Sequence, residues 1–167
     1  KKLSILRINC GGSSFVDGTG RFWLADTNFE GNFSDSYTNE NVPITGYRAK
    51  PLQEMFVTHR YTTSPFKLAY TVPLPSRGRF ELTLFFAENF YVVSPNTRVF
   101  DVLVDGEVVA ESFDVFATAD GPFIATSLNV TLETAVPRDT VVSFNQISRQ
   151  PFVAGIELVQ LPAEATS

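Results

Sequence analysis

The chain has 167 residues, 44% apolar, 13% aromatic and 19% charged, the profile of one globular domain whose core needs neither metal nor disulfide. Thirteen Lys and Arg against 18 Asp and Glu give a net charge of −5; the basic residues form no stripe, which argues against a nucleic acid, since phosphate binding relies on concentrated positive charge. One cysteine, Cys10, and one histidine, His59, exclude multi-cysteine zinc and disulfide frameworks and any metal site built on several histidines.

Taken in chain order, Lys1-Lys2-Leu3 does not open a secretory signal, and no apolar run reaches the roughly 20 residues that cross a bilayer. The sequence reads as a mature or excised soluble domain, with no membrane insertion in this segment. Leu3 to Asn9 alternates imperfectly and is read as a strand, followed by turn signals at Gly11-Gly12 and Asp17-Gly18. From Asp26 to Glu54 the rhythm disappears, and Asn28, Asn32, Asn39 and Asn41 mix with Phe29, Phe33, Tyr37 and Tyr47. A loop-rich stretch of that length is commonly functional, so a binding surface is expected there.

Beyond it, period-two patterns predict strands over Met55–Arg60, Phe66–Val72, Phe80–Phe86, Arg98–Val104, Ser112–Phe116, Phe123–Leu132, Thr140–Gln146 and Phe152–Gln160. Turns are predicted at Pro73 to Gly78 and at Asp120-Gly121-Pro122, and Asp105-Gly106 reads as a two-residue hairpin. No segment carries a helical stripe. Nine or so short strands about ten residues apart predict an all-β antiparallel sandwich or barrel. Residues 1–161 are expected to form it, with 162–167 a flexible tail or linker.

Phe86-Ala87-Glu88-Asn89-Phe90-Tyr91 carries a strand out into a segment with adjacent aromatics, where rings at a sandwich rim could lie on the apolar face of a sugar while amides and carboxylates bond its hydroxyls. Cys10 is expected to pack as a small buried apolar group. Glu88 and Asp101 form the one tempting carboxylate pair for sugar hydrolysis, yet alternation puts Glu88 with Leu82, Leu84 and Phe86 inside or at the edge of the core, where it should be bonded to Arg60, Arg98 or backbone amides. Asp26 and Asp114 are expected to cap turns. Asp17, Asp26 and Asp35 show no calcium-loop spacing, and no metal or cofactor is expected. Asn32-Phe33-Ser34 and Asn129-Val130-Thr131 fit the N-glycosylation acceptor pattern.

Ile8-Asn9-Cys10-Gly11-Gly12, Gly20-Arg21-Phe22-Trp23-Leu24-Ala25-Asp26, His59-Arg60-Tyr61, Phe86-Ala87-Glu88 and Arg98-Val99-Phe100-Asp101-Val102 resemble, in order and spacing, the malectin family. The resemblance implies a lectin-like or jelly-roll β-sandwich with long binding loops at one end, which takes short glucose-containing oligosaccharides on aromatic rings and one aspartate, without catalysis. Carried over by position, it implies binding roles for Tyr61, for the pair Phe90 and Tyr91, and for Tyr37, with Asn39 as the alternative register. The family's aspartate before the last strand falls on Arg149, which donates hydrogen bonds where a carboxylate accepts them; an acidic or sulfated sugar, or no sugar, therefore enters the reading.

The expected function is a noncatalytic module binding an oligosaccharide or polysaccharide through Tyr37, Tyr61, Phe90, Tyr91 and Arg149. A protein or peptide interaction module using the same rim is the alternative that Arg149 favours, and a glycan-acting enzyme using Glu88 is the third. The resemblance places the module outside the cell or in the endoplasmic reticulum lumen, or in an intracellular host protein.

Overall fold

The computed structural model describes residues 5–30, 34–62, 67–90 and 94–164. The strands are β1 (Ile5–Asn9), β2 (Phe15–Val16), β3 (Phe22–Trp23), β4 (Ser34–Thr38), β5 (Thr58–Thr62), β6 (Leu68–Leu74), β7 (Gly78–Phe86), β8 (Val99–Val104), β9 (Glu107–Asp114), β10 (Thr126–Thr134), β11 (Arg138–Ser148), β12 (Phe152–Val153) and β13 (Gly155–Gln160). They build two four-stranded sheets, in the orders β1-β13-β7-β10 and β6-β11-β8-β9, a three-stranded sheet β12-β5-β4 and the small hairpin β2-β3. Every pairing between named strands is antiparallel. The chain is an all-β antiparallel sandwich, as the period-two pattern requires.

Alternation assigns the faces. On β7, Phe80, Leu82, Leu84 and Phe86 point at the opposite sheet, where they meet Phe100, Val102, Val142, Phe144 and Leu68 in one fully buried cluster. Phe86 is its hub, with ring centroids 5.0 Å from Phe113 and 6.0 Å from both Phe100 and Phe152. Most of the 16 phenylalanines are therefore explained by packing.

The other face of β7 explains the arrhythmic stretch. Phe85 packs with Phe15, Trp23, Ile44, Leu52, Met55 and Phe56 in a second core laid over the outside of the first sheet. Ile44, Ala49 and Leu52 tie the Asp26–Glu54 segment down as part of this cover, and β4 inside the segment pairs with β5 in the three-stranded sheet. Gln53 shapes the cover: its Nε2 donates to Ile44 and Ala49 carbonyls at 2.6 and 2.8 Å, and its Oε1 accepts the Ile44 amide at 3.0 Å.

Two predicted boundaries are corrected. Met55–Phe56 ends the short helix α1 (Gln53–Phe56) and the strand begins only at Thr58, because the two apolar side chains both face the second core. Ser112–Phe116 is likewise divided at Asp114, which ends β9 and caps α2 (Val115–Ala119), its Oδ1 accepting the Ala117 amide at 3.1 Å. Asp114 has the capping role expected of it. At Asp105-Gly106 both residues have positive φ, 50° and 82°, and the turn joins β8 to β9 as predicted. Asn129 and Thr131 are exposed on the outer face of edge strand β10; Asn32 and Phe33 lie outside the described residues.

Candidate functional site

The site begins with strand register. In β5, His59 and Tyr61 share one face while Thr58, Arg60 and Thr62 share the other. Pairing with β4 sets Tyr37 opposite His59 and Asp35 opposite Tyr61, and pairing with β12 sets Phe152 opposite Tyr61. Directly opposed residues in an antiparallel pair share a face, so Asp35, Tyr37, His59, Tyr61 and Phe152 line one side of this sheet. Phe90 leans over it: its ring centroid lies 4.6 Å from that of Tyr37, which in turn is 5.3 Å from His59, and His59 is 5.9 Å from Tyr61. Tyr37 and Tyr61 are half-buried and Phe90 is 46% exposed. Three of the five residues singled out from the sequence thus meet at one face, linked through a histidine that sequence reasoning left without a role there.

Tyr91 lies outside the described residues. Arg149 sits at φ 61° in the turn between β11 and β12, exposed, and the neighbouring Pro151 carbonyl accepts the Thr62 amide at 3.4 Å, which fixes that turn at the Tyr61 end of the face. Asn39 turns its side chain elsewhere, its Nδ2 donating to the Asn89 carbonyl at 3.1 Å.

Beneath the rings lies a buried polar group. Glu88 is 1% exposed; its Oε1 accepts the Phe90 amide at 3.1 Å and the Arg98 guanidinium at 3.2 Å. Arg98 also donates Nε–H to the Gln150 carbonyl at 2.6 Å and lies 3.9 Å from the Phe152 ring centroid. One guanidinium therefore ties together the exit of β7 and the turn carrying Arg149. Asp101 points to the outer face of β8, where its Oδ1 accepts the Ser112 amide at 2.7 Å. The tempting carboxylates lie on opposite faces of their scaffold, and Glu88 has the ion-paired structural position expected for it.

His59 is 1% exposed, with Arg98 Nη2 3.4 Å from its Nε2. That nitrogen faces a cation and acts as the acceptor, which puts the proton on Nδ1; Nδ1 and the nearby Asn89 Oδ1 both lack a well-aligned hydrogen bond among the described residues. Burial first, and the Arg98 charge second, hold the imidazole well below its usual value, while Asn89 acts weakly in the opposite sense. A histidine neutral in the fold and protonated in the unfolded chain costs stability as pH falls below about 6.5, by up to about 1.4 kcal/mol per pH unit. Urea midpoints measured from pH 8 to 5 are expected to fall below pH 6.5 in the parent and to stay level in His59→Gln. The same slope in both would contradict a neutral buried imidazole. The window is clear of Asp17, held at about 2 by its bonds to Thr19, Trp23 and Arg21 against the opposing effect of burial.

The reverse face of the sheet is polar and bonded internally. Arg60 pairs with Asp26 and donates to Ser34 Oγ at 2.9 Å, with its guanidinium 3.7 Å from the Phe29 ring. Asp26 also accepts Tyr70 O–H and the Gly11 amide at 2.8 and 2.7 Å, so it ties β5 to β6 of the second four-stranded sheet and to the turn after β1, a larger role than the turn cap predicted for it. Thr58 Oγ1 donates to Asn9 Oδ1 at 3.0 Å, and Asn9 Nδ2 to the Ser13 carbonyl at 2.9 Å. A cleft of about 490 Å³ opens here, but its walls are held by these internal bonds. A larger cavity, about 930 Å³, lies at the Gly78 end of β7 beside residues 161–164, away from the aromatic face. Cys10 is buried, and burial raises its thiol well above the usual value, which leaves it unreactive. Among the described residues no group of three His, Cys, Asp or Glu is placed to hold a metal.

Comparison with known proteins settles the lineage: the Malectin domain family matches residues 4–156. The chain belongs to the malectin family. Malectin-A of Xenopus laevis is 32% identical over 113 residues, covering 67% of this chain and 39% of that protein, and human Malectin is 31% identical over 113 residues, covering 67% and 37%. This malectin domain thus spans about two fifths of the length of the curated relatives it matches. Among solved structures, the plant receptor-like kinase FER superposes with a TM-score of 0.84 at 17% identity, over 96% of this chain and 51% of that one. FER in complex with the plant peptide RALF23 and LLG2 gives 0.83 at 18%, over 95% and 49%. β-Glucuronidase 2 of Bacteroides uniformis gives 0.73 at 20%, over 95% and 18%. At these identities the structures share the fold alone. The malectin domain is a carbohydrate-binding fold, and no helix among the described residues is long and apolar enough to cross a membrane.

Proposed function

We propose that this malectin domain is a noncatalytic sugar-binding module that takes a neutral, glucose-type oligosaccharide on the face formed by Tyr37, Tyr61 and Phe90, with Tyr91 and Arg149 as further ligand contacts. The observation that carries the reading is the convergence of three rings, separate in sequence, on one half-exposed face backed by the buried side chains of His59, Glu88 and Phe152. Rings held by packing beneath them lose little freedom on binding and offer the flat apolar surface that a pyranose face needs. Chemistry at Glu88 is disfavoured, because a carboxylate buried against Arg98 meets no substrate. Membership of the family supports a lumenal or extracellular setting.

Calorimetry is the suitable measurement, because Trp23 is fully buried in the second core, stacked 5.9 Å from Phe15, and is a poor fluorescent reporter of the face. Titration with a neutral gluco-oligosaccharide is expected to give weak binding that falls at least tenfold in both Tyr61→Ala and Phe90→Ala, consistent with the loss of about 1.4 kcal/mol or more per stacking ring. Variants that melt like the parent and bind like it would refute the assignment. A second reading, capture of a peptide on the same rim, is favoured by the basic Arg149 and by the peptide complex of FER; saturation by an acidic or extended peptide with no response to any sugar would establish it instead.

A further inference from the structure

The β4–β5 register places a carboxylate where no sequence pattern put one. Asp35 is directly opposite Tyr61 and two residues from Tyr37 on the same strand face, so it stands on the aromatic face itself, and it is exposed. Its Oδ1 accepts the Ser36 amide at 2.8 Å, which fixes the rotamer from its own backbone, and no described residue bonds its Oδ2. Opposed residues in an antiparallel pair have Cβ atoms about 5 Å apart, the separation at which one ligand ring stacked on Tyr61 brings its edge to the neighbouring carboxylate. On the other side of Tyr61 the β12 pairing brings in the turn that carries Arg149. Tyr61 therefore has the Asp35 carboxylate on the neighbouring strand to one side and the β12 strand that follows this turn to the other.

We infer that Asp35 is the specificity-determining acceptor of this face: its free carboxylate oxygen takes hydrogen bonds from ring hydroxyls of a sugar seated on Tyr61, and its charge selects neutral sugars over uronic-acid or sulfated ones. The inference rests on the sugar reading above and narrows it to a substrate class. An ionised carboxylate accepts from two hydroxyls at once and makes bonds about twice as strong as a neutral acceptor. The same charge repels an anionic sugar across a short, partly desolvated distance. Arg149 taken alone points to acidic sugars; Asp35 on the same face reverses that preference. The sequence hides the role because Asp35 sits in a stretch without strand rhythm, where its face is set only by pairing with β5.

The test compares a neutral glucose disaccharide with the corresponding disaccharide bearing one uronic acid, titrated into the parent, Asp35→Asn and Asp35→Glu. For the parent, the neutral sugar is expected to bind and the uronate to bind at least tenfold more weakly. Asp35→Asn should lose about tenfold for the neutral sugar, bring the two affinities within about threefold of each other, and leave the melting temperature unchanged because the side chain is exposed. Asp35→Glu should recover the preference in part. A parent that binds while Asp35→Asn keeps both its affinity and its charge discrimination overturns the role of Asp35 and leaves the sugar reading standing. A parent that binds neither disaccharide overturns both.

Discussion

Replacing Arg98 with Met is expected to destabilise the domain by about 3–5 kcal/mol, because removal of the guanidinium leaves the Glu88 charge buried without its cation. For a chain of this length that is a fall of roughly 10 °C in melting temperature. Arg98 and Glu88 are 3% and 1% exposed, their contact is 3.2 Å, and the guanidinium also holds the Gln150 carbonyl. The variant should therefore loosen the turn bearing Arg149 as well as the core. Adding Glu88→Gln should recover a large part of the loss, since the stranded charge is then gone. If Arg98→Met melts within a degree or two of the parent, the pair is not the brace described above.

Gly11→Ala should cost about 3 kcal/mol for a different reason. Gly11 has φ +82°, a region that an L side chain enters only with strain, and an added Cβ would stand 2.4 Å from the His59 carbonyl oxygen. The obstruction is backbone and cannot rotate away. Because that carbonyl belongs to β5, relief of the clash must push the strand that carries His59 and Tyr61, so weakened ligand binding should accompany the loss of stability. Gly20→Ala is the control: Gly20 has a similar φ, +86°, with nothing within 4 Å of the added Cβ, and it should cost only the conformational strain of about 1–2 kcal/mol. Equal effects at the two positions would show that crowding against β5 contributes nothing.

What the sequence disclosed follows from where the physics is local. Strands such as Phe80 to Phe86 alternate because one face is buried against the opposite sheet, and Asp105-Gly106 needs two positive φ values that few other pairs accept; both are legible without coordinates. The Asp26–Glu54 stretch was not. Its buried apolar residues Ile44, Ala49 and Leu52 serve a second core built on the outer face of β7, so they follow neither period, and β4 within it is polar and defined only by its partner. The same limit applies to the site. Ring-bearing positions near Tyr61 and Phe90 were visible from motifs, whereas the placement of Asp35 beside Tyr61, and of His59 between the rings, depends on which residues face each other across β4 and β5. Glu88 shows the intermediate case: alternation put it inside, and the chemistry of a buried charge then required a cation, which Arg98 supplies.

On the proposed reading, ligand is received on the Tyr37–Tyr61–Phe90 face rather than in either of the two clefts described above. It is tested most directly by recording two-dimensional amide and aromatic NMR spectra of the full chain during titration with a neutral gluco-oligosaccharide. Saturable shifts are expected at Asp35, Tyr37, Tyr61 and Phe90, with the cleft around Ser13 and Thr58 and the cavity beside residues 161–164 unmoved. Shifts that saturate at either of those cavities while the three rings stay fixed would contradict it.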